Sequence, residues 1–349
     1  MRLEPRRAAA ELDPYTPGKA AEDDDHSLAS NEPPIAASPS VRAAVVRTLD
    51  RLHRYPDPLA SELRGRLGKE LDVDPEQILV GNGSDELVYL LCLAYLRPGG
   101  VVCCADPPYR LHELVPRLVG GTVRRVPMLD WSHDLRAMAA VPCDLAFVCN
   151  PHNPTGTVVR AGALEDFAAR ARAGLIVVDE AYLDFADEPS RLTVLHLARQ
   201  SQLVVIRTFS KLLGLAGARI GYLVGPLEVV DLLRRIRPPF SVNVLAQAAA
   251  VAALSDLEQR HRSREHVLAQ RPLVQRIITE AGYRCIPSQA NFICVLTDRE
   301  DDMVRRLWER GISVRPGKTL GMPGSVRVTI PSTHGVELLR KALGTVAPV

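Results

Sequence analysis

The chain has 349 residues, 46% apolar and 24% charged, which excludes a disordered or fibrous protein and allows about two domains. With 43 basic residues against 41 acidic ones the net charge is +2, too balanced for a partner held by bulk charge, such as nucleic acid or an acidic surface. Seven cysteines, an odd number without metal-ligand spacing, read as small buried hydrophobes in a reducing compartment, and no metal site is expected.

The first residues, Met1-Arg-Leu-Glu-Pro-Arg-Arg7, contain no apolar signal-peptide core. No later run makes a membrane span, so a cytoplasmic protein without membrane contact is expected. The opening stretch reads as polar loops stiffened by proline: Pro14-Tyr15-Thr-Pro17-Gly18-Lys19, the acidic run Glu22–Asp25, then Ser30-Asn31-Glu32-Pro33. Arg54-Tyr55-Pro56-Asp57 is another such loop.

Strands are expected near 78–80, 101–104, 123–126, 145–149, 175–178, 203–206 and 220–224, with helical stretches between most of them. That alternation defines an α/β fold with a doubly wound, mainly parallel sheet. Pro238-Pro239 breaks the pattern. A long helical region follows from about 244 to 281, then strands near 291–296 and 326–330 in a smaller α+β domain. The expected division is an arm over 1–40, packing with the small domain or a dimer partner, a large domain over 41–250 and a small one over 251–349.

Four motifs carry chemistry. Ile78-Leu-Val-Gly81-Asn-Gly83-Ser84-Asp85-Glu86 precedes an apolar helix and reads as strand, glycine turn, helix, whose N-terminus favours an anion. Glu86 stands where a dinucleotide fingerprint needs its third glycine. Phe147-Val-Cys-Asn150-Pro-His-Asn153-Pro-Thr-Gly156 enforces a turn after a strand and offers the Asn153 amide. Leu175-Ile-Val-Val-Asp179 puts a carboxylate at the C-terminal end of a buried parallel strand, where α/β sheets bind ligands, and Tyr182 follows. Arg207-Thr-Phe-Ser210-Lys211 leads through small residues to Arg219.

Taken singly, Lys211 also reads as a surface lysine, Asp179 as a turn cap and Asn153 as an Asx turn. Together the motifs fit one cofactor, pyridoxal phosphate. It needs a lysine for its aldehyde (Lys211, as a Schiff base), a carboxylate for its ring nitrogen (Asp179) and donors for its 3-oxygen (Tyr182, Asn153). Its phosphate needs an anion cradle, offered by the turn at Gly83 with Ser210 and Arg219.

With these motifs in this order, from about residue 14 to 330, the chain resembles the fold-type-I pyridoxal-phosphate aminotransferases, and within them the histidinol-phosphate aminotransferase subgroup. The resemblance implies that Ser84 and Asp85 join Ser210 and Arg219 around the phosphate. It implies that Tyr109, in Asp106-Pro-Pro-Tyr109, stacks on the cofactor ring, where the residues alone also allow a core tyrosine. It implies that Tyr55 crosses a homodimer interface to the neighbouring phosphate site. Tyr15 and Asn31 would lie by the substrate. Arg327 would grip its anionic end and Arg315 would be a second anion-binding arginine, a guanidinium fork suiting carboxylate or phosphate. Arg327 on its own also reads as a structural ion-pair residue.

The implied reaction is transamination between a small amino donor and an oxo acid, ping-pong, with Lys211 moving the proton. The alternative on the same scaffold is a lyase or decarboxylase. The chain departs from the subgroup at the rim: Pro33-Pro34-Ile35 follows the Asn-Glu pair, His152 precedes Asn153, and Pro331-Ser332 replaces a usual glycine.

Overall fold

Three unbroken apolar runs, Leu145-Ala-Phe-Val148, Leu175-Ile-Val-Val178 and Leu203-Val-Val-Ile206, are buried along their length. Such runs suit parallel strands covered on both faces. The computed structural model describes residues 4, 6–12, 14–199 and 202–344; parts of the expected arm and the end of the expected small domain lie outside the described residues.

In chain order the strands are β1 (Ser27–Leu28), β2 (Ile78–Gly81), β3 (Val101–Asp106), β4 (Thr122–Pro127), β5 (Cys143–Cys149) and β6 (Ala173–Asp179). They continue with β7 (Leu203–Thr208), β8 (Gly221–Val224), β9 (Arg284–Ile286), β10 (Phe292–Leu296), β11 (Ser313–Pro316) and β12 (Ser325–Thr329). The large sheet has the order β2-β8-β7-β6-β5-β3-β4. β3 to β7 are parallel, and β8 opposes both its neighbours.

Alternate residues of each strand enter opposite layers. Ala146, Val148, Ile176, Val178 and Val205 join one core; Phe147, Leu175, Val177, Val204 and Ile206 join the other. Each of these side chains larger than alanine contributes about 1.5–3 kcal/mol on burial. The helix Gly83–Tyr95 covers the second layer through Leu87, Leu90 and Leu91. The helix Val244–Ser255 covers the first through Ala246, Ala249 and Ala250.

The long helix expected after the proline pair is two helices, Val244–Ser255 and Leu257–Glu280. They part at Asp256, whose carboxylate accepts from Gln259 N at 3.0 Å. An aspartate that caps a new helix ends the previous one.

The smaller sheet has the order β1-β11-β12-β10-β9. Val295, Val326 and Val328 pack there with Val274 and Ile278 of the helix Leu257–Glu280 and with Leu339 of the helix Thr333–Gly344. β1 adds a segment from the chain's beginning, parallel to β11, with Leu28 opposite Val314. β1, β9 and β11 are additions to the expected strands. No described helix is long and apolar enough to cross a membrane.

Candidate active site

β5, β6 and β7 end together at Cys149, Asp179 and Thr208, and all three residues line a cavity of about 310 Å³. It lies at the C-terminal edge of the parallel strands, between the two sheets. Lys211 lines it from the loop after β7, with Nζ donating to Ser30 O at 3.2 Å. Burial, with Arg327 nearby, lowers this amine to about 8.

Asp179 is buried at the end of β6 and accepts from Ala181 N at 3.1 Å. Its Oδ2 lies 3.5 Å from His112 Nε2. The His112 ring stacks on Phe147 at 4.4 Å and meets the Tyr109 ring edge-on at 5.0 Å. Sequence analysis missed His112; the only signal was its place three residues after Tyr109, which a helical turn brings to one side.

Tyr182 Oη accepts from Asn31 Nδ2 at 3.0 Å and Asn153 Nδ2 at 3.2 Å. With both acceptor directions taken, its own O–H is free to donate into the cavity. Burial raises this phenol's pKa, so it keeps its proton.

At the other end the helix Gly83–Tyr95 presents its N-terminus, with Ser84 and Asp85 on the cavity wall beside Ser210 and Arg219. Arg219 Nη2 donates to Asp85 Oδ2 at 3.0 Å and Tyr109 Oη to Asp85 Oδ1 at 3.3 Å. Gly83 does not line the cavity but shapes it: φ is +76°, and a Cβ there would lie 2.5 Å from Arg219 Nη2. Glu86 closes the turn by accepting from Asn82 N at 2.6 Å.

Tyr15, Asn31 and Arg327 form the side facing the smaller sheet. Arg327 donates to Asn153 Oδ1 and to Ala29 O, each at 2.7 Å. Arg315 is outside the cavity lining; its Nη2 donates to Thr16 O and its guanidinium lies 5.2 Å from the Tyr15 ring centroid. Tyr55 is also outside. It is 80% exposed and stacks on Phe240 at 4.5 Å.

This donor set fits pyridoxal phosphate. The amine, the carboxylate, a hydroxyl with a spare proton and a helix N-terminus with an arginine ring one cavity. The anion end closes so tightly on Gly83 that a methyl group there would strike the arginine.

The fold with this cavity is that of the fold-type-I pyridoxal-phosphate enzymes. Residues 23–346 match the model of aminotransferase class I and II. The chain is 38% identical to the histidinol-phosphate aminotransferase of Moorella thermoacetica, over 97% of this chain and 92% of that one. It is 41% identical to an aromatic amino acid aminotransferase of Mycobacteroides abscessus, over 93% and 94%. The crystal structure of histidinol-phosphate aminotransferase from Sinorhizobium meliloti in complex with pyridoxal-5'-phosphate superposes with a TM-score of 0.83 at 26% identity, over 92% of this chain and 91% of that one. The chain belongs to the class I and II aminotransferases and uses pyridoxal phosphate. The lyase and decarboxylase reading is not favoured, because these relatives are aminotransferases.

Proposed function

We propose that the protein moves an amino group from a small phosphorylated amine of the histidinol-phosphate type to an oxo acid. The observation that carries this is the pairing of Arg315 with Arg327, directly opposite each other on antiparallel β11 and β12. Both are buried, both Nε atoms lack a partner, and among the described residues neither has an ion pair. Opposed like charges out of water are unfavourable until an anion joins them. A phosphate offers enough charge and oxygens for two forks; an α-carboxylate needs one.

A second reading follows from Arg315's bond to Thr16 O, which turns it from the cavity. Arg327 alone would then hold an amino acid's carboxylate, the need of an aromatic substrate.

Bound pyridoxal phosphate supplies an electron-withdrawing ring that makes the substrate's Cα–H acidic. Lys211 would hold the cofactor's aldehyde carbon until the substrate amine displaces it, then carry the proton from Cα as a neutral amine. Asp179 would keep the ring nitrogen protonated. Tyr182 and Asn153 would donate to the 3-oxygen, and the Tyr109 ring would cover the cofactor face. Ser84, Ser210, Arg219 and the helix N–H groups would hold the phosphate, with Asp85 and Gly83 fixing the arginine. Tyr15 and Asn31 would position substrate beside Arg327.

We infer a homodimer from the place of Tyr55. It stands away from its own cavity on an exposed cleft with Arg47, Arg51 and Gln247, shortly after Val46 and Leu52, themselves exposed at 62% and 58%. A partner covering that surface would receive Tyr55 in its phosphate site. We also propose the arm 1–40, large domain 41–250 and small domain 251–349 as working units. The seven free cysteines support a cytoplasmic setting.

The test is turnover of histidinol phosphate against phenylalanine with an oxo acid, following the keto products. The reading expects at least about tenfold higher kcat/KM for the phosphate ester, lost in Arg315→Leu. Equal efficiency for both in the unaltered protein rejects it.

A further inference from the structure

We propose that Glu32 selects the substrate's ring, its carboxylate receiving the N–H of a nitrogen heterocycle, imidazole above all, while the arginines hold the phosphate. The proposal rests on the phosphate-ester reading for the opposite end of the substrate.

Three carboxylates line the cavity: Asp85, Asp179 and Glu32. Asp85 is bonded to Arg219 and Tyr109. Asp179 accepts from Ala181 N and faces His112. Glu32 has no hydrogen bond or ion pair among the described residues. It shares the wall of Tyr15 and Ser30 and also borders the neighbouring cleft beside Gly214 and Pro331, so it stands on the rim. Its charge acts on the Lys211 amine, raising its pKa, so it is within electrostatic reach of the reacting centre.

The segment presenting Glu32 is fixed. Asn31 has φ +55°, a left-handed backbone uncommon outside glycine. Its N donates to Thr329 Oγ1 at 2.9 Å, its carbonyl accepts from Asn291 Nδ2 at 3.1 Å, and Ser30 O takes the Lys211 amine. Pro33 and Pro34 follow and stiffen the exit. The backbone that carries Glu32 is thus held at the mouth, with the side chain exposed there.

A negative group there opposes an anionic substrate. It is compensated only by a substrate that also brings a donor or positive charge. Imidazole does both near neutral pH. A phenyl ring brings neither and covers part of the exposed carboxylate without giving it a partner, which disfavours an analogue lacking a hydrogen-bond group. Glu32 therefore repels what the arginines alone would accept.

The experiment uses the full-length holoenzyme with Glu32→Gln, which keeps shape and removes charge, and Glu32→Ala. kcat/KM is measured for histidinol phosphate, histidine and phenylalanine at one oxo-acid concentration. Dissociation constants are measured by calorimetry on cofactor-loaded Lys211→Ala protein, with and without Glu32→Gln. Expected is a loss of about tenfold for both imidazole compounds, carried mainly by KM and matched in the dissociation constants. Phenylalanine should not lose and should gain by at least about twofold, because the unpaired charge that opposes it is gone. An equal loss for all three places Glu32 with Lys211 instead and overturns the proposal. So does no loss, or an unaltered protein that does not prefer histidine to phenylalanine. If histidine is preferred to phenylalanine but histidinol phosphate is no better than histidine, the phosphate reading fails and Glu32 stands.

Discussion

Arg327 Nη1 donates to Asn153 Oδ1 at 2.7 Å, and the other end of the same amide donates to Tyr182 Oη at 3.2 Å. One side chain thus ties the smaller sheet to the turn after β5. On the proposed roles it also ties the substrate anchor to the cofactor's 3-oxygen. On those roles an anion drawing on Arg327 would weaken its hold on Asn153 and so change what Asn153 and Tyr182 offer the oxygen.

Cutting that link should be visible twice. Asn153→Ala is expected to lower kcat/KM by about 1.5–3 kcal/mol, the scale of a hydrogen bond to a charged group. It should also shift the pH midpoint of the bound cofactor's visible absorbance. Steady-state kinetics and a spectrophotometric titration check both. A variant with normal rate and unmoved midpoint would remove Asn153 from the chain of bonds.

Lys211 links site chemistry to stability. Its folded value of about 8 lies below the ordinary 10.5, so between those values the unfolded chain binds more protons. Stability of the cofactor-free protein therefore rises with pH across that window and carries the full cost of the buried charge below it. Lys211→Met should be more stable than the parent below about pH 8, with the gap closing towards pH 10. Denaturant unfolding at stepped pH measures the difference. A gap that widens with rising pH would have the wrong sign.

Asp179 and His112 should separate by magnitude. Asp179→Asn is expected to lower kcat by at least about a thousandfold, because an unprotonated ring nitrogen is a poor electron sink. His112→Phe keeps the stack on Phe147 and removes only the imidazole facing the carboxylate. Its expected cost is about tenfold in kcat with KM little changed, as for a positioning residue. If it costs as much as Asp179→Asn, His112 does more than orient.

How much of this was legible in sequence follows from the range of the interactions. Asp179, Asn153 and Lys211 each follow an apolar strand whose burial is written locally, so their place at one sheet edge could be read. Gly83 was legible for the same reason, in a turn between strand and helix. His112 was not, because its meaning comes from Phe147 and Asp179, on strands paired over long range. The exclusion of Arg315 from the cavity was also hidden. It depends on Thr16, 299 residues away in sequence. β1, with 2 residues, and β9, with 3, carry too few positions for a period. The break at Asp256 was passed over because apolar spacing continues on both sides; the cap, not the pattern, decides it.

Gly83→Ala tests the anion cradle without replacing a charged group. The added methyl meets Arg219 at 2.5 Å on a backbone with φ +76°. The arginine must move, and the turn is strained as well. Cofactor affinity should fall by at least about tenfold, the cost of one charge-assisted bond, while the far-ultraviolet spectrum stays native. Equilibrium dialysis of pyridoxal phosphate gives the number. Unchanged affinity would place the phosphate elsewhere.

The inferred homodimer makes the sharpest demand on Tyr55. Among the described residues it stacks on Phe240 and is 80% exposed, so Tyr55→Ala should leave the fold intact. If Tyr55 serves the partner's phosphate site, Tyr55→Ala and Lys211→Ala are each impaired for different halves of one shared site. Refolded together, they form mixed dimers in which one site carries both lesions and the other carries neither. The mixture should recover up to about a quarter of the parent's activity, half of the dimers being mixed and each having one intact site. The increase should depend on subunit exchange and vanish when the proteins are mixed without it. Sedimentation of the parent should show the dimer at assay concentrations. A fully active monomer, or a mixture no better than the sum of its parts, would mean that Tyr55 serves no neighbouring site.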